Sequence, residues 1–232
     1  MKNFFINLFN DSVKMNHKNI LNLLDKDSEA EFLDLGCDDG VLTKQFADKI
    51  GTSRVYGVEI IEKSIAEAQK KGIKVSSFDL NKDLDFKDNS FDVVHANQVI
   101  EHLYDSDKFL SEIYRILKPN GYAVISTENA SSWCNIFSSI MGWQIFSLTN
   151  FSTLKSGIGN PFSLHSHNKT EDMKSWNHIR IYNFLGLKEY FETVGFGVEH
   201  IRGSGYFPLP SFIGNIDKVH SHFITFKIRK SK

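Results

Sequence analysis

Cysteine, long apolar runs and an excess of positive charge are all scarce in this chain, and each scarcity excludes something. Two cysteines in 232 residues, Cys37 and Cys134, cannot build a disulfide framework. A reducing cytoplasm is therefore the expected compartment. No stretch of about twenty apolar residues is present to cross a bilayer. The N-terminal segment is aromatic-rich, but Asn3, Asn7, Asn10, Asp11 and Lys14 interrupt it. No small-residue cleavage site follows an apolar core there, so it does not read as a signal peptide. A formal net charge of −1 leaves no basic footprint for nucleic acid. The lysines at Lys70-Lys71 and Lys227–Lys232 read as solvated helix and tail. No internal repeat and no low-complexity run appears. With 41% apolar and 24% charged residues, the composition is that of one elaborated α/β domain.

The stretch that organises the chain is Glu31-Phe32-Leu33-Asp34-Leu35-Gly36-Cys37-Asp38-Asp39-Gly40. It predicts a short buried strand, a glycine-bearing turn and a helix from about Val41. The first backbone N–H groups of such a helix are unpaired and point outward, which makes the turn a ligand cradle. Two common ligands are excluded by what the turn lacks. A dinucleotide fingerprint would need glycine at Asp38 and a small residue at Val41. A phosphate-binding loop would need Gly-Lys-Ser/Thr where Val41-Leu42-Thr43 stand. Asp34, Asp38 and Asp39 would repel a pyrophosphate but suit a cationic ligand. S-adenosylmethionine carries an ammonium and a sulfonium and no phosphate. Cys37 reads as a small loop residue rather than a nucleophile.

Asp34-Leu35-Gly36-Cys37-Asp38-Asp39-Gly40 resembles motif I, D-x-G-x-G-x-G, of the class I S-adenosylmethionine-dependent methyltransferases, of the type 11/25-like kind. It departs at Asp38, where most members carry the middle glycine; aspartate tolerates left-handed backbone better than most residues. Arg54–Ile60 is a second predicted strand, and Glu59 lies nineteen residues beyond Gly40. In a βαβ unit that spacing puts a carboxylate at the end of the neighbouring strand, where it can accept hydrogen bonds from both ribose hydroxyls. The resemblance implies the same role. Lys74–Leu80 is the third predicted strand, and the resemblance implies that Asp79 accepts from the adenine amine while Leu80 packs on the ring. Asp79 can equally cap the turn-rich loop Asn81-Lys82-Asp83.

Phe91–Asn97 reads as the fourth strand, and the segment running on to His102 resembles the family's motif there. The resemblance places Asn97 and Gln98 beside the methionine end of the cofactor. Asp105 or Ser106 is expected to cap a helix carrying Phe109, Leu110, Ile113, Ile116 and Leu117. Lys118-Pro119-Asn120-Gly121 should end it before strand five, Tyr122–Thr127, and "LKPNGYAVIST" resembles a specific family signature. A helix over 181–194, a strand over 195–201 and a last strand over 222–229 complete the pattern. The resemblance implies an α/β fold: a Rossmann-like seven-stranded sheet, its last strand antiparallel between six and five, flanked by helices. A helical cap or lid insertion follows strand five.

Residues 1–30 are expected to form an N-terminal helical lid, although a helix packed on the sheet edge would show the same spacing. Residues 31–232 are expected to form the methyltransferase domain, with the cap at about 130–179. That insertion is too long for a simple connection and holds Trp133, Phe137, Ile140, Met141, Trp143, Ile145, Phe146 and Leu148. It reads as a cap with its own core, as the wall of an apolar acceptor pocket, or as a surface for peripheral membrane contact. A second apolar stretch, Gly205–Pro210, falls between the last two strands and is placed to close the same pocket.

The resemblance implies S-adenosylmethionine as cofactor and S-adenosylhomocysteine as product. Cofactor contacts are expected from Asp34, Gly36, Asp38, Gly40, Glu59, Asp79, Leu80 and Asn97. A hydroxyl acceptor would need a base, and His102 and His178 are the candidates, because neutral imidazole accepts a proton near pH 7. Some metal-dependent RNA and quinone-type O-methyltransferases carry Glu-x-x-Glu-His after strand four. The matching positions here are Gln98, Glu101 and His102, with His178 as the later ligand. Gln98 removes a carboxylate that a hard cation prefers, so no metal is expected. The acceptor expected is small or lipid-like and hydroxyl-bearing, not nucleic acid: no Asn/Asp-Pro-Pro-Tyr/Phe follows strand four. N-methylation, or a non-catalytic cofactor-binding protein of the same fold, are the alternatives.

Overall fold

The computed structural model describes residues 2–163 and 177–231. Residues 164–176 of the expected cap lie outside the described residues. In chain order the elements are α1 (Lys2–Leu23), β1 (Phe32–Leu35), α2 (Val41–Ile50), β2 (Val55–Val58), α3 (Glu62–Lys70), β3 (Lys74–Ser76) and β4 (Phe91–Asn97). There follow α4 (Ser106–Ile116), β5 (Leu117–Glu128), α5 (Trp133–Ile140), α6 (Phe184–Val194), β6 (Phe196–Ser204) and β7 (Phe223–Lys230). The strands form one sheet in the order β3-β2-β1-β4-β5-β7-β6, with β7 antiparallel. This is the expected topology, including the last strand between five and six.

The chain divides into two compact units. The first comprises Ile20–Ser126, Glu189–His200 and Phe226–Lys232. At its centre β1 is buried along its whole length, as a strand covered on both faces must be. Side chains alternate across a strand, so Phe32 and Asp34 share one face and Leu33 and Leu35 the other. Phe32 joins Val55, Val93 and Val124 in a core with Phe46, Ala47 and Ile50 of α2 and with Ile20, Leu23 and Leu24. Helix α4 buries Phe109, Leu110, Ile113 and Ile116. Of the two candidate caps it is Asp105 that serves, accepting from Lys108 N–H at 2.9 Å.

Some boundaries differ from the sequence expectation, each for a local reason. The third strand stops at Ser76 rather than Leu80, because Asp79 and Asn81 close a side-chain-capped turn. Strand β5 begins at Leu117, directly after α4. Leu117 pairs with Phe91 and Tyr122 with Val93, so Lys118–Gly121 bulge out between them. Asn120 supplies the left-handed residue there, with φ 67°.

The second unit comprises Met1–Asn19, Thr127–Lys188 and Ile201–Thr225. Here α1 is anchored by buried amides rather than by apolar packing alone. Asn16 accepts from the Thr225 hydroxyl at 2.7 Å. Asn19 donates to the Gly203 carbonyl at 3.1 Å and accepts from Asn215 at 3.1 Å. The helix expected from Ile181 begins only at Phe184, because Tyr182 forms a parallel bridge to Asn129 and accepts from Ala130 N–H at 2.9 Å. Asn129 is a hub: its side-chain amide donates to the Val219 and Ser221 carbonyls, both at 2.8 Å. Among the described residues no helix is long and apolar enough to cross a membrane.

Candidate functional site

The turn between β1 and α2 is left-handed at three positions: Gly36 (φ 76°), Asp38 (φ 46°) and Gly40 (φ 79°). Asp38 thus adopts the backbone that the middle glycine of the resembled motif would supply. The turn is tied to β2 by Gly36 and Cys37 N–H groups, which donate to the Val58 carbonyl at 2.8 and 3.1 Å. Glycine is demanded by packing as well as by φ. A Cβ on Gly36 would stand 2.8 Å from Val99 Cγ2. One on Gly40 would meet Ile73 Cδ1 at 2.5 Å and the Ala68 backbone at 3.0 Å. Left-handed strain and overpacking together should make Gly40→Ala about 2–4 kcal/mol less stable. A urea midpoint unchanged from wild type would overturn that account.

Glu59 stands one residue beyond β2 and closes the cradle. Its Oε2 accepts from Asp38 N–H at 3.0 Å, while Oε1 accepts from Ile60 and Ile61 N–H at 2.7 and 3.0 Å. A carboxylate offers about four acceptor positions. Three are already filled, which leaves the group clamped and still able to accept from a ligand hydroxyl. Asp38 is held in turn by the Ser64 hydroxyl, 2.7 Å from its Oδ1.

Asp34 is placed differently. Its carboxylate is buried, with Oδ2 accepting from the Thr43 hydroxyl at 2.5 Å and Oδ1 2.6 Å from His95 Nδ1. Asp34 and His95 occupy paired positions on neighbouring strands β1 and β4. The carboxylate therefore ties the start of the turn to α2 and to the central strand. Burial, with Asp34 and Glu59 nearby, pushes the Cys37 thiol far above its ordinary range, in keeping with a loop residue rather than a nucleophile.

Asp79 is exposed and Leu80 half-buried. Asp79 Oδ1 accepts from the backbone and side-chain amides of Asn81 at 3.0 and 2.9 Å. These hydrogen bonds hold its carboxyl below the usual range. Asn81 Oδ1 accepts in turn from Tyr104 and Asp105 N–H at 2.7 and 3.1 Å, which fastens the turn to the start of α4. Asn97 ends β4, half-buried, and Gln98 follows at φ 56° with its N–H on the Ser126 carbonyl at 2.8 Å.

The first unit thus brings together Asp34, Gly36, Asp38, Gly40 and Glu59, linked through shared hydrogen bonds and backbone. His102 lies in the same unit, half-buried in a short 3-10 turn. His178 lies in the second unit, buried, its Nδ1 donating to the Ser147 carbonyl at 2.6 Å. That bond leaves Nε2 as the acceptor of the neutral ring, the tautomer a base requires. Asn135 holds Ser147 by two hydrogen bonds, at 2.9 and 3.0 Å.

The second unit contains an apolar cavity of about 640 Å3. Trp133, Phe137, Trp143, Phe146, Phe162 and Phe207 are among the residues that line it. Both apolar stretches singled out in the sequence, the insertion and Gly205–Pro210, contribute to it. Burial pushes the thiol of Cys134, also in the wall, up to about 12, so it is no nucleophile.

Sequence reasoning missed Thr43, Ser64, Asn81 and His95. His95 is 61 residues from Asp34 and only strand pairing joins them. Asn81 carried a signal, a second amide two residues after an aspartate in a turn.

The acceptor-rich donor set of the cradle, with no basic side chain among Asp34–Gly40 and Glu59, fits a ligand presenting hydroxyls and positive charge. A family model described as a methyltransferase domain matches residues 12–201. A Mycolicibacterium smegmatis protein, a probable S-adenosylmethionine-dependent methyltransferase by name, is 30% identical over 174 residues, covering 75% of this chain and 54% of its own length. The ubiquinone biosynthesis O-methyltransferase of Rickettsia prowazekii is 27% identical over 142 residues, 57% of this chain and 53% of its own length. The chain spans about half the length of these curated relatives. The crystal structure of an S-adenosylmethionine-dependent methyltransferase from Mesorhizobium loti matches the fold with a TM-score of 0.61 at 19% identity, over 91% of this chain and 96% of that one.

Proposed function

The chain belongs to the S-adenosylmethionine-dependent methyltransferases, and on that premise we propose that it catalyses methyl transfer to a hydroxyl of a small or lipid-like apolar acceptor. When bound, S-adenosylmethionine supplies a methyl group on a sulfonium already activated for displacement. The chain's own task is alignment, which can contribute roughly 7–11 kcal/mol of barrier lowering. Glu59 accepts from the ribose hydroxyls, and the clamped turn Gly36–Gly40 shapes the seat for the methionine end. Asp79 and Leu80 take the adenine, and Asn97 lies at the strand end beside the methionine portion. His178 is the favoured acceptor of the hydroxyl's proton, since its hydrogen bond from Nδ1 to the Ser147 carbonyl fixes the tautomer in which Nε2 is the accepting nitrogen; His102 is the second candidate.

The observation that carries the acceptor class is the aromatic cavity, whose lining includes no charged side chain among the described residues. The O-methyltransferase relative supports oxygen as the receiving atom. The test is incubation with methyl-labelled cofactor and a cell extract. Label is expected in organic-soluble, alkali-stable products. Label confined to water-soluble amines, or cofactor binding without any transfer, would overturn the reading. Gentle association of the apolar cap with a membrane surface is compatible with this acceptor class.

A further inference from the structure

Beside the aromatic cavity, four side chains of the second unit form a polar chain. The indole Nε1–H of Trp133 donates to the Tyr206 hydroxyl at 2.7 Å. Tyr206 donates to Asp217 Oδ2 at 2.6 Å, and His220 Nδ1 lies 2.8 Å from the same oxygen. The imidazole of His220 stacks on Trp133, ring centres 4.5 Å apart and planes 25° from parallel. Trp133 and Tyr206 belong to both assemblies: their rings line the cavity and their polar atoms enter the chain.

The protons in this chain can be assigned. Burial pushes the Asp217 carboxyl up, and the hydrogen bonds from Tyr206 and His220 outweigh it and hold the group below the usual carboxylate range. Asp217 is thus an ionised, acceptor-only group, so His220 Nδ1 carries a proton toward it. In the neutral ring Nε2 is then a bare acceptor, held in orientation by the carboxylate on one side and the stacked indole on the other. A histidine that merely filled space would need neither partner.

The cavity states the rest of the ligand's chemistry. Its volume lies within the range of small-molecule sites. Its walls are mostly flat rings in tilted and edge contacts: Phe137 with Trp143 at 5.9 Å and 80°, and Trp143 with Phe162 at 5.5 Å and 53°. Aromatic walls of this kind favour planar rings through offset and edge-to-face contact. Among the described residues no charged side chain lines the cavity, so an ionic body would lose its hydration there without compensation.

We propose that the cavity and the His220–Asp217 pair form a recognition site for an aromatic molecule bearing a hydroxyl, which donates its hydrogen bond to His220 Nε2. This rests on the proposed reading only in that such a molecule is the acceptor, methylated at an oxygen other than the one that His220 holds; the binding itself needs no cofactor and no turnover. Neither histidine offered as a base from the sequence belongs to this pair. The spacing of Asp217 and His220, three residues apart, is its only sequence trace.

The test is equilibrium dialysis of the full chain, without cofactor, against 1-naphthol and against naphthalene. Wild type is expected to bind 1-naphthol about fivefold to tenfold more tightly, the worth of one hydrogen bond to an oriented acceptor. His220→Phe keeps the ring stacked on Trp133 but removes the nitrogen; the preference should vanish while naphthalene affinity stays within about twofold, the scale of a neutral packing change. Asp217→Asn retains the shape and should also reduce the preference. Equal binding of the two probes by wild type overturns the proposal, as does a preference that survives in His220→Phe. If that variant fails to fold, wild type and Asp217→Asn decide on the same criterion. A failure here leaves methyl transfer in extract untouched, and a failure of transfer leaves this binding result standing.

Discussion

Replacing Glu59 by glutamine is expected to raise the dissociation constant for S-adenosylmethionine about a hundredfold. The carboxylate already holds three hydrogen bonds. Asp38 N–H points at one oxygen and the Ile60 and Ile61 N–H groups at the other. A carboxamide has only one oxygen, so its –NH2 must face donors on one side or the other. A donor left without an acceptor costs about 1–3 kcal/mol, and a hydrogen bond from a ribose hydroxyl to a charged group is worth about 1.5–3 kcal/mol. The two losses sum to about 2.5 kcal/mol at the low end, and each 1.4 kcal/mol is a factor of ten. Titration calorimetry measures the constant, and far-ultraviolet circular dichroism checks that the fold is kept. An affinity within about threefold of wild type, under 1 kcal/mol, would place the ribose elsewhere.

Asp34→Ala should act mainly on stability. The sequence resemblance places Asp34 among the cofactor contacts, but its carboxylate is buried between Thr43 and His95. Truncation strands the His95 Nδ1 proton in a site where the imidazole is itself buried and packed on Phe46, ring centres 4.5 Å apart. Breaking one side of a buried pair typically costs about 3–5 kcal/mol. For a chain of this size each kcal/mol lowers the melting temperature by about 2–4 °C, so a fall of roughly 6–20 °C is expected by calorimetry. The double variant Asp34→Ala, His95→Leu should recover part of the loss, because no buried donor is then left without a partner. Weakened cofactor binding should accompany the single change, since the start of the turn loses its tie to α2. A melting temperature equal to wild type, together with a large loss of binding, would return Asp34 to direct ligand contact.

These two residues show how legible the site was. Glu59 was readable because its spacing from the glycine turn is a property of one local βαβ unit. Asp34 was readable as important, through the motif, but not as buried and paired. Its partner stands on a strand that becomes a neighbour only when the parallel sheet assembles. Asp79 illustrates a middle case: the turn-rich residues after it announced a capping role, and its carboxylate takes that role by accepting from the Asn81 backbone and side-chain amides. The same holds at Lys118–Gly121. Proline and glycine marked a break in the chain, yet pairing of Leu117 with Phe91 draws the segment into β5 as a bulge.

The succession of strands and helices and the cradle were already present in the chain as written, because hydrophobic runs, turn glycines and acid spacing are local quantities; the order of the strands in the sheet and the cofactor class came from the resemblance those motifs carry. The two apolar stretches were also visible, and so was the suggestion that they meet. Folding alone settled which polar groups meet: Asp34 with His95, Asn16 with Thr225, and Tyr206 and His220 on Asp217 at the edge of the aromatic cavity. The reason is physical. A buried polar group must find a partner wherever the packed backbone brings one within hydrogen-bond reach, and that proximity has no counterpart in residue spacing.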